Sequence, residues 1–406
     1  VKEKLFNTIE LFKTDMIKTL SELISIPAIN PIDGGLGEYR KAEYILEKLK
    51  QLGLDEVKVY NSEDSAAERG VRPNIIVKIK GKTKKRLWII SHVDVVPAGD
   101  LSLWMTDPFQ AFFKDGKLYG RGSSDNGQEI VASLYSLLAL LENKVTPQFE
   151  ICLCFVASEE VGSEHGIRYL MKQNLFNKDD LIVVPDAGSS DGSFIQIAEK
   201  STCWIEFEVI GEQVHASTPN LGNNSCRVAN EFSVSLDMAL HSAFPDMNSL
   251  FSPSISTFEP TRRITNVENI NTVPGRELFC FDCRILPSIN IDKISKVIDS
   301  EIKKFSDRTK TKIQYKFIQK EQAPAATSPD APVVDLLQRS LLQVIPITPK
   351  IGGIGGGTCA AYLRKEGIPV VVWGQEDAVA HMPNEYSKIE HMLNETKVFA
   401  LMMAGL

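Results

Sequence analysis

The sequence has little cysteine for its length, no excess of basic charge and no long apolar run, and each shortage excludes a class. Seven cysteines scattered over 406 residues are an odd number without framework spacing, so a disulfide-stapled scaffold is not expected. The one C-x-x-C, Cys280 to Cys283, falls in a strand-like run where residues three apart face opposite ways, which argues against a zinc claw. Lysine and arginine (45) fall short of aspartate and glutamate (52), leaving a net charge of -7 and no basic patch of the kind that nucleic-acid binding demands. The longest apolar stretch, residues 130–141, is interrupted by serines and too short to cross a bilayer. Val1-Lys2-Glu3-Lys4 opens no signal-peptide core, so a cytoplasmic protein is expected. The glycine tract at 352–357 lacks the Lys-Ser/Thr pair of a P-loop, which excludes a nucleotide phosphate site of that type.

What remains is a chain 43% hydrophobic and 24% charged, long enough for two or more domains. Apolar spacing predicts helices over 5–24 and 39–52, strands at 57–60, 74–80 and 87–91, and an irregular loop from 95 to 122. A helix at 128–142, a strand at 149–157, a helix at 163–173 and a strand at 181–184 follow. These runs are too apolar to face water on either side. They predict an α/β fold with a mostly parallel sheet flanked by helices. From about 203 to 317 the rhythm changes to strand, helix, three strands, helix, strand, which predicts a smaller inserted α+β domain. Alternation then resumes, with helices at 331–344, 359–365 and 389–403 and a strand at 369–373. The expected division is therefore 1–200 plus 319–406 as the catalytic domain and 201–318 as the insertion.

In an open α/β sheet the crevice lies at the carboxyl ends of the strands, and the chemistry-bearing residues fall there. His92 and Asp94 end one apolar run, Glu159 and Glu160 follow the next, Asp186 follows a third, and His381 follows the last through a short loop. Asp125 closes the long loop behind Gly120 and Gly122, which allow a sharp turn. Side chains two apart on a strand share a face, so the Asp94 carboxylate can bond one ring nitrogen of His92 and leave the other for a metal. Each residue alone is a weak signal. Together they put two imidazoles and several carboxylates on one rim, which costs several kcal/mol without a cation. A cation is therefore expected. Imidazole plus carboxylate without cysteine suits zinc, cobalt or manganese better than magnesium or calcium, and a carboxylate such as Asp125 can bridge two ions.

The order of motifs is specific: His92-Val93-Asp94, Pro97-Ala98-Gly99-Asp100, Gly120-Arg121-Gly122-Ser123-Ser124-Asp125, Glu159-Glu160-Val161-Gly162-Ser163 and Pro185-Asp186. His215, Asn271-Thr272-Val273-Pro274, Asp282-Cys283-Arg284, Gly355-Gly356-Gly357-Thr358 and His381-Met382-Pro383-Asn384-Glu385 follow. Over nearly the whole chain this resembles the dinuclear-zinc amidohydrolases and exopeptidases, which include acetylornithine deacetylase, succinyl-diaminopimelate desuccinylase, aminoacylase, carboxypeptidase G and several dipeptidases. The resemblance implies two divalent metal ions, zinc first, with cobalt or manganese as alternatives. It places His92 and Asp186 on one ion, Glu160 and His381 on the other, and Asp125 between them, with a cis peptide after Asp125. Glu159 is implied to be the general base, which takes a proton from a metal-activated water and hands it to the leaving nitrogen, and Asp94 the acid behind His92. His215 is implied to reach the partner subunit's active site and stabilise the oxyanion, hence a homodimer through the inserted dimerisation and lid domain. Arg284 looks like the anchor for a substrate carboxylate, with Asn271 beside it, and the backbone around Gly356 exposes N–H groups that can receive one.

Two departures stand out. Asp125-Asn126-Gly127-Gln128 lacks the lysine of the family's Asp-x-Lys-Gly, and Cys359 stands where many relatives carry an acid. The implied reaction is hydrolysis of an amide next to a free carboxylate on a small-molecule substrate, with neither nucleic acid nor membrane as partner. Deacylation of an N-acyl amino acid (deacetylase or desuccinylase) comes first. An exopeptidase (dipeptidase or carboxypeptidase) comes next, and a binding protein that has lost the chemistry last.

Overall fold

Leu87 to Ile90 and Ile151 to Val156 are wholly withdrawn from water, and strands this apolar must lie between two layers. The structure, a computed structural model, describes residues 1–54 and 56–406. Its main strands are β1 (Val57–Glu63), β2 (Val71–Ile79), β3 (Arg86–His92), β4 (Glu150–Val156), β5 (Leu181–Val184), β6 (Phe194–Glu199), β7 (Ser201–Ile210), β8 (Thr257–Thr265), β9 (Arg276–Ile285), β10 (Lys312–Glu321), β11 (Lys350–Ile354) and β12 (Val370–Val372). An eight-stranded sheet runs in the order β1-β2-β4-β3-β5-β12-β6-β11. In its middle β4, β3, β5 and β12 pair parallel, whereas β1 with β2, β2 with β4, and β12 with β6 are antiparallel. The link between β1 and β2 is shorter than the roughly dozen residues that a parallel crossover needs, so that end of the sheet folds back as a hairpin.

The long helices are α1 (Lys2–Ile24), α2 (Tyr39–Gln51), α3 (Gln128–Glu142), α4 (Ser225–Ala243), α5 (Asp292–Thr309), α6 (Pro332–Leu342) and α7 (Ile389–Ala404). Buried from Gln128 to Leu137, α3 is sandwiched between the sheet and the helices α1 and α7. The other face, with Trp88, Ile90, Cys154 and Ile182, is covered by the short helices Ile167–Met171 and Ala360–Lys365.

Several local expectations change. The loop at 95–122 contains a hairpin, Phe112–Lys114 with Lys117–Tyr119, turned by Asp115 and Gly116, both at positive φ. The helix expected over 163–173 shortens to Ile167–Met171, and the two strands expected near 254–268 are one, β8, with a bulge between Pro260 and Arg263.

By contact density the chain forms two units, Val1–Ile197 with Thr327–Ile351 and Thr358–Leu406, and Ala198–Ala326 with Gly352–Gly357. The smaller one extends past 201–318 at both ends and takes in the glycine segment, because Gly353 and Ile354 hydrogen-bond Leu250 and Lys200. Its sheet, ordered β8-β9-β7-β10, is wholly antiparallel, and α4 and α5 cover one face over an aromatic core in which Phe207 and Phe279 stack at 5.0 Å. All seven cysteines are free. Among the described residues no helix is long and apolar enough to cross a membrane.

Candidate metal centre

Because β3, β4 and β5 are parallel neighbours, their carboxyl ends open on one edge, and the residues leaving them meet there. His92 is the last residue of β3, Glu159 and Glu160 lie in the turn after β4, and Asp186 lies two residues beyond β5. Asp125 joins them from the turn before α3, where Gly122 adopts a φ of 77°. A side chain at Gly122 would run into Val95 at 2.6 Å. The Asp125–Asn126 peptide is cis. His381 arrives from the loop after β12 in a left-handed conformation, φ 64°.

Nε2 of His92 lies 2.7 Å from Asp125 Oδ1 and 3.1 Å from Asp186 Oδ1. Nε2 of His381 lies 3.1 Å from both Asp125 Oδ2 and Glu160 Oε2. Single ligand atoms of His92, Glu159 and Asp186 lie within 4.8 Å of one another, as do those of His92, Asp125 and Glu160. All five expected ligands therefore converge in the larger unit, and by distance Glu159 also qualifies beside His92 and Asp186.

The donor set fits divalent cations. His92 Nδ1 is 2.9 Å from the main-chain oxygen of Asp94, which can only accept, so Nδ1 carries the ring proton. In the neutral ring Nε2 then turns a lone pair toward two carboxylates. Burial alone would lower His92, but Asp125 and Asp186 outweigh it and push the imidazole well above its ordinary range. Hydrogen bonds to Asp125 and then Glu160 push His381 up to about 10. Burial would raise Asp125, yet the two imidazoles hold it below the usual carboxylate range. The arrangement thus demands positive charge at both Nε2 positions. Glu160 Oε1, buried without a hydrogen-bond partner, is a further acceptor awaiting one. Nitrogen and oxygen ligands without sulfur meet this demand with metals of the zinc, cobalt and manganese kind.

Asp94 departs from its expected part. Its carboxylate is 3.7 Å from His92 Nδ1 and it is the carbonyl that orients the ring. The pleat ends at His92, so the chain has already turned when Asp94 is reached. The carboxylate instead accepts from Asn30 Nδ2 (2.7 Å), Glu159 N (3.0 Å) and Glu160 N (3.1 Å).

Other residues were not legible as site residues. Glu385, fully buried, pairs with Arg121 at 2.6 Å and accepts from the backbone of Gly122, Ser124 and Asp125, so it builds the turn that carries the bridging carboxylate. Its only signal was its place in the His381-Met382-Pro383-Asn384-Glu385 motif. Asn126 accepts from His92 N (3.2 Å) and donates to Pro185 O (2.6 Å), which ties the ends of β3 and β5 together.

The remaining candidates lie in the smaller unit. His215 pairs with Thr272 next to Asn271, whose carbonyl accepts from Ala216 N at 2.9 Å. The backbone N–H of Ser217 donates to His215 Nδ1 at 3.2 Å, so the neutral ring carries its proton on Nε2. Arg284 stands beside the glycine tract, with Nη1 donating to Gly355 O at 2.9 Å, and a side chain at Gly356 would meet only Ile354, at 3.8 Å. Its fork is engaged by Asp282 at 2.6 and 2.9 Å, not free for a ligand as expected, since residues two apart on β9 face the same way.

The sequence profile of peptidase family M20/M25/M40 matches residues 88–405. The chain belongs to this family. It is thus a metal-dependent hydrolase, and the similarity extends beyond the profile over most of the chain. An uncharacterized metallohydrolase of Methanocaldococcus jannaschii is 42% identical over 405 residues, covering 95% of this chain and 98% of the relative. A succinyl-diaminopimelate desuccinylase of Buchnera aphidicola is 25% identical over 398 residues, 95% of this chain and 97% of its own. The crystal structure of a Staphylococcus aureus tripeptidase superposes with a TM-score of 0.74 at 18% identity, covering 97% of this chain and 98% of that one, which shows a shared fold.

Proposed function

We propose that the chain hydrolyses the amide bond of an N-acyl amino acid, in a deacetylase- or desuccinylase-type reaction, with Glu159 as general base. The observation that carries this reading is Asp125, whose two oxygens face two different imidazoles at 2.7 and 3.1 Å. His92 with Asp186 and His381 with Glu160 thus form two cups that share a wall. Two divalent cations held there, zinc first and cobalt or manganese as alternatives, would supply an acidified water and a Lewis acid for the substrate carbonyl. Burial and then Asp186 push the Glu159 carboxyl well above its usual range, which suits a group that accepts a proton and passes it to the leaving nitrogen. His215 offers an Nε2–H donor to an oxyanion. In this reading it acts on the partner subunit of a homodimer formed through the smaller unit. The exposed edge strand β8 and the outward Val234 and Met238 of α4 support that interface. Arg284 Nη1, with Asn271 and the backbone at Gly356, would receive the substrate carboxylate.

An exopeptidase is the second reading. Membership of a peptidase family favours it, and cleaving a dipeptide changes only the acyl donor. A panel of N-acetyl and N-succinyl amino acids and dipeptides, assayed with zinc, cobalt and manganese after chelation, separates the two. Turnover of dipeptides alone would replace the first reading, and turnover of none would end both. Glu159→Ala should abolish turnover and leave bound metal unchanged; retained activity would remove Glu159 as base. Arg284→Ala should raise KM about tenfold for every substrate bearing the carboxylate, and a loss for only one substrate would assign it another role.

A further inference from the structure

The turn that carries Glu159 and Glu160 is held by Asp94 and, beside and behind it, by Asn30, Glu38 and Arg72, which precede the stretch that matches the family. Three successive backbone N–H groups point into buried carboxylates. Ser158 N donates to Glu38 Oε1 at 3.0 Å, Glu159 N to Asp94 Oδ1 at 3.0 Å, and Glu160 N to Asp94 Oδ2 at 3.1 Å. Arg72 closes the ring behind them: its Nε and Nη2 donate to the Glu38 carboxylate and Nη2 also donates to Asn30 Oδ1. Asn30 Nδ2 then donates to Asp94 Oδ2 at 2.7 Å. None of Asn30, Glu38, Arg72 and Asp94 is more than 2% exposed. Such a network earns its place only if what it fixes matters, since two buried carboxylates are costly to desolvate.

What it fixes is a conformation that serine does not favour. Ser158 sits at φ 62°, in the left-handed region. That twist separates the directions of the next two side chains, so that Glu160 meets His381 while its neighbour stays off that imidazole.

We propose that Glu38, Arg72 and Asn30 are positioning residues for the general base: they lock the peptide planes at 158–160 so that the Glu159 carboxylate stands where a proton can be taken, without themselves touching metal or substrate. The proposal rests on the role given to Glu159 above. A displacement of about 1 Å at a reacting group can cost on the order of a hundredfold in rate, so disturbing the anchor should act on kcat while the five metal ligands keep their ions.

Purified enzyme loaded with zinc is compared with Glu38→Ala and Glu38→Gln for kcat, KM, bound metal by elemental analysis, and melting temperature. Glu38→Ala should lower kcat about ten- to hundredfold, with KM within about threefold and metal content unchanged. Glu38→Gln should recover part of that loss, because its amide oxygen can still accept from Ser158 N and Arg72 Nη2 while its NH2 faces the Arg72 Nε donor. Unchanged kcat in Glu38→Ala, or a loss that follows metal content or KM, would overturn the proposal. If Glu38→Ala does not fold, Asn30→Ala, which removes the donor to Asp94, must show the same split or the proposal fails. Glu159→Gln in the same series keeps the two ideas apart. Should that variant stay active, the base is misassigned; should it be dead while Glu38→Ala is fully active, only the positioning set is wrong.

Discussion

The larger unit buries two knots of carboxylates, and they differ in what stands between the acids. In front, Asp125, Glu160 and Asp186 are interleaved with the imidazoles of His92 and His381, each Nε2 within 3.1 Å of two carboxylate oxygens. Behind, Glu129 and Glu395 have each other and the amides of Gln128 and Gln375 for company, and Glu376 faces both Asp125 and Glu395. Burial, reinforced for Glu129 by Glu395, pushes the rear carboxyls upward, Glu395 to about 8; in front burial also raises Asp186 and, with Asp125 beside it, lifts Glu160 to about 7, whereas Asp125 itself is held down by its two imidazoles. Of these carboxylates only the one that faces two imidazoles holds its charge without a cation. Burying an acid does not by itself make a metal site, and what distinguishes the front is nitrogen ligands with lone pairs aimed inward.

Chelation is the largest blow to this distinction. Removing metal should abolish turnover and lower the melting temperature, since an ion at a thousand times its dissociation constant stabilises by about 4 kcal/mol. Readdition of zinc, cobalt or manganese should restore both, and a melting temperature indifferent to chelator would mean the front knot needs no cation. Single substitutions come next. On the two-ion reading, His381→Asn should reduce bound metal from two ions to one and turnover by about a hundredfold or more. Glu129→Gln, in the rear, should leave both ions bound and turnover within about threefold. Loss of an ion from Glu129→Gln would merge the two knots into one site.

The front knot could be read from the sequence because its ligands follow apolar strands, and strand ends announce themselves locally: Ile89 and Ile90 before His92, Val183 and Val184 before Asp186. The parts that stayed hidden depend on where the chain returns. Asp94 looked like the acid behind His92 by spacing, yet the strand ends first and its carboxylate goes to Glu159 and Glu160. Glu385 meets Arg121 across more than 260 residues, and Arg72 meets Glu38 on a different element; no periodicity marks either pair. The rear knot was invisible for the same reason. Glu129 opens α3 and Glu395 sits on α7, where an acid usually reads as a solvated face, and only the packing of those helices buries both.

The smallest effect bears most directly on why the two knots differ. Glu395 Oε1 accepts from Gln375 N at 2.6 Å, while Oε2 is buried without a partner. Its folded value of about 8 lies above the ordinary 4.5. A carboxyl raised in this way favours the folded state fully below about pH 4.5, and that contribution is lost as pH climbs toward 8, because the unfolded chain releases the proton first. Glu395→Gln keeps the shape of the neutral acid and has no proton to lose. Its stability relative to the unchanged protein should be near zero at pH 5 and grow by a few kcal/mol up to pH 8.5, read from urea midpoints. Metal loss at low pH affects both proteins alike and cancels in the difference. A gap that stays flat with pH would mean Glu395 is charged in the folded state. The rear carboxylates would then need a cation as much as the front ones do.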